Sequence, residues 1–343
     1  MALKYKELML AYSTAISDKS QLYSSIASKL AEDKDMKDIL APQIISSHFV
    51  PLFMTATLAV LYDHEHDLRR YYLNFNDEPA AFDETGYQVF KHFIQLHLAE
   101  IMLLIRTGDL KKNIVERSAV LVPIFHYIRE ECDRQKFNVI ELGSKAGLLL
   151  NFDWYGYTFN KEYKVGFNED INIKMKIKGY PYDYLVPLEH PHYKVGISEE
   201  VIKIEEDSDF KWMLSQFYPE ELKRRKNLLK AREIFHNHPV ELLEGNELEL
   251  LEKTLTALPD DEPIVIFHVH HTKNWADEKK SALLQMIQRF SATKEIFHIH
   301  HQLFGTDIFI DYLDHGMLKR EKLAHLDLDK MKIEWLLGQT LKI

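Results

Sequence analysis

The 343-residue chain has 46% apolar and 28% charged residues, a globular balance that excludes extended disorder, and its length favours two domains over one core. A formal net charge of −10 and a pI of about 6.0 leave no overall attraction for phosphate backbones, so nucleic acid is not an expected partner. Cys132, the single cysteine, excludes an intramolecular disulfide and any multi-thiolate metal site. It fits a reducing compartment, and with the scattered charges of the first residues and no run near the ~18 apolar residues of a membrane span it predicts a cytoplasmic protein with no membrane partner.

The first part of the chain is helical by pattern. Apolar residues recur at three and four in Leu22, Tyr23, Ile26 and Leu30, and again through Phe90, Phe93, Ile94, Leu96, Leu98, Ile101 and Leu104. Residues 1–112 are therefore expected to form a helical N-terminal domain and 113–343 an α/β domain. Asn113 to His126 reads as the helix leading into the first strand. Arg117 near its start opposes the helix dipole, which suits a residue facing an acid or ligand, although a plain surface arginine fits as well.

Phe137-Asn-Val-Ile-Glu141-Leu-Gly143-Ser144-Lys145-Ala-Gly147 reads as a buried strand ending in an acid and turning through glycines into an apolar segment of helical character. Such a turn is suited to holding a ligand at the carboxyl edge of a sheet. The spacing Glu-x-Gly-x-x-x-Gly lacks the middle glycine of a dinucleotide fingerprint, and an acid there would repel pyrophosphate. It fits an S-adenosylmethionine site better.

Beyond the loop, Ile171 to Lys178 alternate with period two, isoleucines and Met175 on one face and lysines on the other. This predicts an inserted antiparallel β region over about 155–195. Tyr193–Glu200 reads as the next strand and its exit, 209–236 as a helix bent near Pro219, and 240–246 as a short strand. Pro263–His271 and Glu295–His301 are buried strands with histidine-rich ends, separated by a helix over 277–290. Strands alternating with helices call for a mostly parallel sheet covered on both faces.

On adjacent strands His268, His270, His298 and His300 would approach one another, which opens a metal-dependent reading beside one of polar lining or acid–base work. No Gly-x-Ser-x-Gly elbow is present, which argues against a serine hydrolase.

Gly143-Ser-Lys-Ala-Gly147-Leu-Leu-Leu-Asn-Phe-Asp153-Trp-Tyr155-Gly-Tyr157 resembles the Gly-Ala-Ser-Ala-Gly-Leu-Asn-Leu-x-x-Asp-x-Tyr-x-Tyr motif of a bacterial family known as domain of unknown function 2332. Asn113, Arg117, Ser118 and Ala119 resemble its upstream Thr-Asn-Glu-x-x-Arg-Ser-Ala segment, and Trp212 to Arg225 its Trp-Leu…Trp-Pro…Arg stretch. The resemblance implies a Rossmann-like sheet of the S-adenosylmethionine-methyltransferase type. This chain departs from the family at Lys145, Leu149, Ser198 and Asn246, where a small residue, an asparagine and two acids are usual.

The sequence thus points to a methyltransferase-like protein acting on a small molecule. S-adenosylmethionine is expected at Glu141, Gly143, Ser144, Gly147, Glu199 and Asn246, with Asn113 and Arg117 as substrate or structural residues. Asp153, His270 and His271 are the candidate bases, since methyl transfer needs little beyond alignment and proton removal. A metal enzyme built on the two histidine clusters, or a catalytically inactive scaffold on the same fold, are the alternatives.

Overall fold

The computed structural model describes residues 5–44, 46–132, 136–166, 170–180 and 189–337, with Glu131 and Cys132 described in their backbone only. The chain divides into two units, Met1–Asn113 with Ile204–Leu228, and Ile114–Lys203 with Leu229–Ile343.

The first unit holds α1 (Tyr5–Ile16), α2 (Gln21–Glu32), α3 (Lys34–Leu40), α4 (Phe49–Asp63) and α5 (Glu84–Thr107). Ser20 starts α2 by accepting from the Tyr23 amide, and Asp83 starts α5 through the Gly86 amide. The spacing at Leu22, Tyr23, Ile26 and Leu30 puts all four in the core of this unit, around α4, which is buried on nearly every side. Among the described residues no helix is long and apolar enough to cross a membrane.

The 3-10 helix Val115–Val120 and α6 (Leu121–Cys132) lead into β1 (Asn138–Leu142), buried along its whole length. A second 3-10 helix, Leu148–Trp154, follows the glycine loop. The sequence pattern there predicts a helix of ordinary length, but at Asn151 the backbone leaves helical values, its side chain donating to the His238 carbonyl.

The next strands are β2 (Gly156–Phe159), β3 (Tyr163–Val165), β4 (Asn172–Lys178) and β5 (Tyr193–Ser198). The expected antiparallel pairing holds for β2 with β3. β4 instead runs parallel to β2, and parallel to a strand from the chain's end. Ile173, Met175 and Ile177 are buried and the intervening lysines exposed, so the alternation gave the faces of β4 while its partners came from elsewhere. Pro181, also assigned to this region, lies outside the described residues.

The expected long helix near Pro219 is two helices, α7 (Asp207–Ser215) and α8 (Leu222–Asn237). Then come β6 (Glu241–Glu244), α9 (Glu247–Ala257), β7 (Ile264–His268), α10 (Asp277–Phe290), β8 (Ile296–His301), β9 (Ile308–Asp314), β10 (Met317–Asp327) and β11 (Lys332–Trp335).

These strands form one mixed sheet of order β3-β2-β4-β11-β10-β9-β8-β7-β1-β5-β6. Within it β6-β5-β1-β7-β8 are all parallel, and β9 to β11 continue antiparallel. One face of the parallel part packs Ile140, Val195, Ile197, Ile264, Ile266 and Ile296 against Leu251 and Leu255 of α9 and Leu283 and Ile287 of α10. Each such side chain contributes about 1.5–3 kcal/mol by burial.

Candidate functional site

In chain order the parallel strands build outward from β1 to β5 and β6 on one side, then restart at β7 and continue to β8 on the other. The strand order reverses between β1 and β7, and the carboxyl ends of strands at such a reversal are where α/β sheets bind ligands. The loops that follow β1 and β7, 143–147 and 269–275, carry Gly143, Ser144, Gly147, His270 and His271 of the residues singled out in the sequence.

Glu141 lies near the end of β1, 4% exposed, and its Oε2 has no hydrogen-bond partner. Burial pushes its carboxyl up to about 8, while Ser144 beside it and the Arg117 guanidinium act in the opposite direction. Arg117 is thus near enough to Glu141 to act on it electrostatically.

The loop is tied back to the sheet. The Gly143 and Ser144 amides donate to the Ile197 carbonyl at 2.7 and 3.4 Å, and the Gly147 amide to Ser144 O at 3.0 Å. These N–H groups are spent within the fold, so the turn does not present the free amides expected of it. Gly143 and Gly147 have φ of +71° and +69°, and a Cβ on Gly143 would fall 2.1 Å from the His271 ring. Lys145, also left-handed at φ 53°, turns to Glu200 at 2.8 Å.

His270 and His271 part company at the end of β7. His270 has φ 61° and stands edge-on to His301, ring centroids 4.1 Å apart, with its Nε2 buried and unpartnered. Burial, with His301 and Arg117 adding to it, pushes His270 down to about 3. His301 is likewise lowered by burial, to about 4, and its Nε2 donates to the Thr306 carbonyl. Both imidazoles are neutral at pH 7.

His271 turns instead to Glu247, Nε2 to Oε1 2.7 Å, and Glu247 also accepts from Lys279 at 3.1 Å. Burial opposes ionisation of Glu247, and these two bonds outweigh it, holding its carboxyl below the usual range. Lys279 reaches Glu199 at 2.7 Å as well. Asn246 caps α9, its side-chain oxygen accepting from the Leu248 and Glu249 amides.

The structure thus gathers Glu141, Gly143, Ser144, His270, His271 and Arg117 at one sheet edge. Glu199 and Asn246 stand beside them, already bonded to Lys279 and to α9. Asp153 is elsewhere: its carboxylate, fully buried, accepts from Lys194 at 2.9 and 3.1 Å and pairs with His190 at 2.8 Å. Lys194 is level with Val139, two residues before Glu141 along the sheet. Asn113 falls in the helical unit and donates to the Lys111 carbonyl.

The second histidine group lies on the other face. His268, His298 and His300 share one side of β7 and β8, opposite to Glu141, whose level partner is Phe267. The four histidines expected to converge do not, because the left-handed turn at His270 carries it away to His301. Asp311 of β9 takes its place, set opposite His298 in register and held by Arg320 through two bonds of 2.7 Å.

Asp311, Arg320 and Glu247 were not singled out by sequence. Asp311 sits between Ile310 and Tyr312 on the other face of its strand, with no local mark of its partners, and Glu247 reads as an ordinary acid in a first helical turn.

A family model described as an uncharacterized protein conserved in bacteria, domain of unknown function 2332, matches residues 9–335. No curated protein and no solved structure matches the chain.

Proposed function

The chain belongs to the domain-of-unknown-function 2332 family, and from its own geometry we propose that it is a Rossmann-like, methyltransferase-type protein that binds S-adenosylmethionine and acts on a small molecule. The observation that carries this reading is the Glu141 carboxylate, buried at the reversal of strand order with one oxygen unpartnered.

Such a group is costly in an apolar setting unless a ligand completes it. A cation restores the ionised form that burial suppresses, and the cofactor's ammonium is one. Arg117, close enough to act on Glu141 electrostatically, suits the carboxylate of the same amino-acid moiety. A loop whose amides are already used is poor for pyrophosphate but adequate for a ligand without phosphate.

Glu141, Gly143, Ser144 and Gly147 would hold the methionine end, with Glu199 and Asn246 toward the ribose and base. When bound, the cofactor supplies an electrophilic methyl group. His270, neutral and with a free Nε2 lone pair or proton at this sheet edge, is the best placed base. Asp153, engaged by Lys194, is better read as a positioning residue for the 3-10 helix that follows the loop.

The histidine-lined enzyme drawing on both clusters loses support because His270 turns to His301 and His271 to Glu247, while His298 and His300 converge on Asp311. A scaffold without activity needs a contiguous apolar patch, and the exposed Leu96, Leu103, Met317 and Leu318 are divided between the two units.

Calorimetry of the whole chain with S-adenosylhomocysteine tests the proposal. One site per chain is expected, weakened about tenfold or more, ~1.4 kcal/mol, in Glu141→Gln. No heat at millimolar ligand, or unchanged affinity in that variant, rejects it.

A further inference from the structure

We infer that His298, His300 and Asp311 form a binding site for a divalent transition-metal ion of the zinc type, clamping β8 to β9. The site is separate from the proposed cofactor site and stands independently of that reading, because these side chains leave the opposite face of the sheet from Glu141.

The ligand set follows from register. β8 and β9 are antiparallel with His298 directly opposite Asp311, and His300, two residues on, shares their face. All three residues are buried, and one donor atom from each lies within 4.8 Å of the others. Asp311 Oδ2 is 3.8 Å from His298 Nδ1 and 3.4 Å from His300 Nε2.

Those separations decide between two bonding modes. They are long for a nitrogen–oxygen hydrogen bond, whose usual range ends near ~3.2 Å. Two donors each about 2.0–2.2 Å from a tetrahedral ion stand roughly 3.3–3.6 Å apart; the His300 pair, at 3.4 Å, falls inside that span and the His298 pair, at 3.8 Å, just above it. Consistent with this, His298 Nδ1 and both nitrogens of His300 are buried without a hydrogen-bond partner. His298 Nδ1 and His300 Nε2, both without a hydrogen-bond partner, converge on one carboxylate, and a cation between them satisfies both at once.

For His298 the surroundings supply the outer contact that a metal-bound imidazole needs. His298 Nε2 is 3.1 Å from His268 Nε2, and His268 Nδ1 is 3.3 Å from Thr272 Oγ1. With His298 donating from Nε2 to His268, its Nδ1 lone pair is turned toward Asp311. Arg320 orients Asp311 and leaves Oδ2 a second lone pair. Its positive charge also opposes a bare dication, so the fourth ligand is expected to be an anion or hydroxide. Phe304, half exposed and edge-on to His300 at 6.0 Å, and Arg320, over Phe304 at 4.9 Å, mark the side from which an ion enters.

A rival site must be controlled. In the helical unit His64 and His97 both bond to Glu100 at 2.9 Å, a second group with two imidazoles and one carboxylate. There each imidazole already bonds to the carboxylate and the side chains are partly exposed, so it serves as the comparison.

The test loads chelator-stripped full-length protein with Zn²⁺ or Co²⁺ and measures metal per chain after desalting. One equivalent is expected in wild type and in His64→Gln, falling below a tenth in His298→Gln and in Asp311→Asn, with a metal-dependent rise in Tm lost in parallel. If those variants fail to fold, X-ray absorption on Zn²⁺-loaded His64→Gln reads the donor set directly: two imidazoles and one carboxylate support the site. No retained metal in wild type, loss of the metal in His64→Gln, or an oxygen-only donor set overturns the inference.

Discussion

The imidazole of His271 packs directly on the backbone of Gly143, so that a single added methyl group would lie 2.1 Å from its Cγ. The contact locks the loop after β1 to the loop after β7 across the reversal of strand order. Gly143 also has φ +71°, which costs an L-residue about 1–2 kcal/mol. Gly143→Ala is therefore expected to destabilise the protein by roughly 3 kcal/mol or more. In a His271→Ala background the steric part disappears and only the backbone part remains, about 1–2 kcal/mol. Urea denaturation of the four proteins of this cycle measures the difference, and equal costs in both backgrounds would show that the ring is not the obstacle.

Glu141 gives a pH dependence with a definite sign. Its folded-state carboxyl is raised by burial to about 8 from an ordinary 4.5. The folded protein thus binds the extra proton, so this group's contribution is fully present below pH 4.5 and is lost as pH rises toward 8. Glu141→Gln removes the titration, and its stability relative to wild type is expected to climb between pH 5 and 8 by a few kcal/mol, order of magnitude only. Parallel curves across that range would show that Glu141 is ionised and satisfied in the fold. Ligand affinity should run the other way in wild type, strengthening with pH up to about 8, because a cationic cofactor binds the ionised form.

Lys279 holds Glu199 and Glu247 together. If Glu199 is the ribose contact, this ion pair competes with the cofactor. Lys279→Met is then expected to tighten S-adenosylhomocysteine binding severalfold while costing about 1 kcal/mol of stability, since the Glu199 end is exposed and the Glu247 end keeps His271. Calorimetry separates the two effects; weaker binding in the variant would assign Lys279, not Glu199, to the ligand.

Asp153 is the test of a structural against a chemical role. Its buried carboxylate meets Lys194, and removing one partner of a buried pair costs about 3–5 kcal/mol. Asp153→Asn should lower stability in that range and leave cofactor affinity per folded molecule unchanged. A variant that is stable but inactive would return Asp153 to the chemistry.

The sequence by itself determined the elements whose cause is local. The 3.6 periodicity of 22–30 gave the buried face of α2, and the period-two alternation of 171–178 gave the two faces of β4. The apolar run closed by Glu141 and the glycines gave the central strand and its turn, since burial, chain reversal and left-handed φ each leave a mark on neighbouring residues. The resemblance in that stretch led to the family to which the chain belongs.

Only tertiary structure decided the partners. That Asp311 stands opposite His298 is a matter of register between β8 and β9, and a strand acid looks the same in sequence whether it meets water or an imidazole. The separation of His270 from His268 depends on one positive φ, which a histidine does not advertise. Asp153 goes to Lys194 and Glu247 to His271 because burial makes an unpaired charge costly, and the fold brings the compensating group from a distant part of the chain. Local pattern fixes which way a side chain faces; what it meets there is set by the strands and helices the rest of the chain packs beside it.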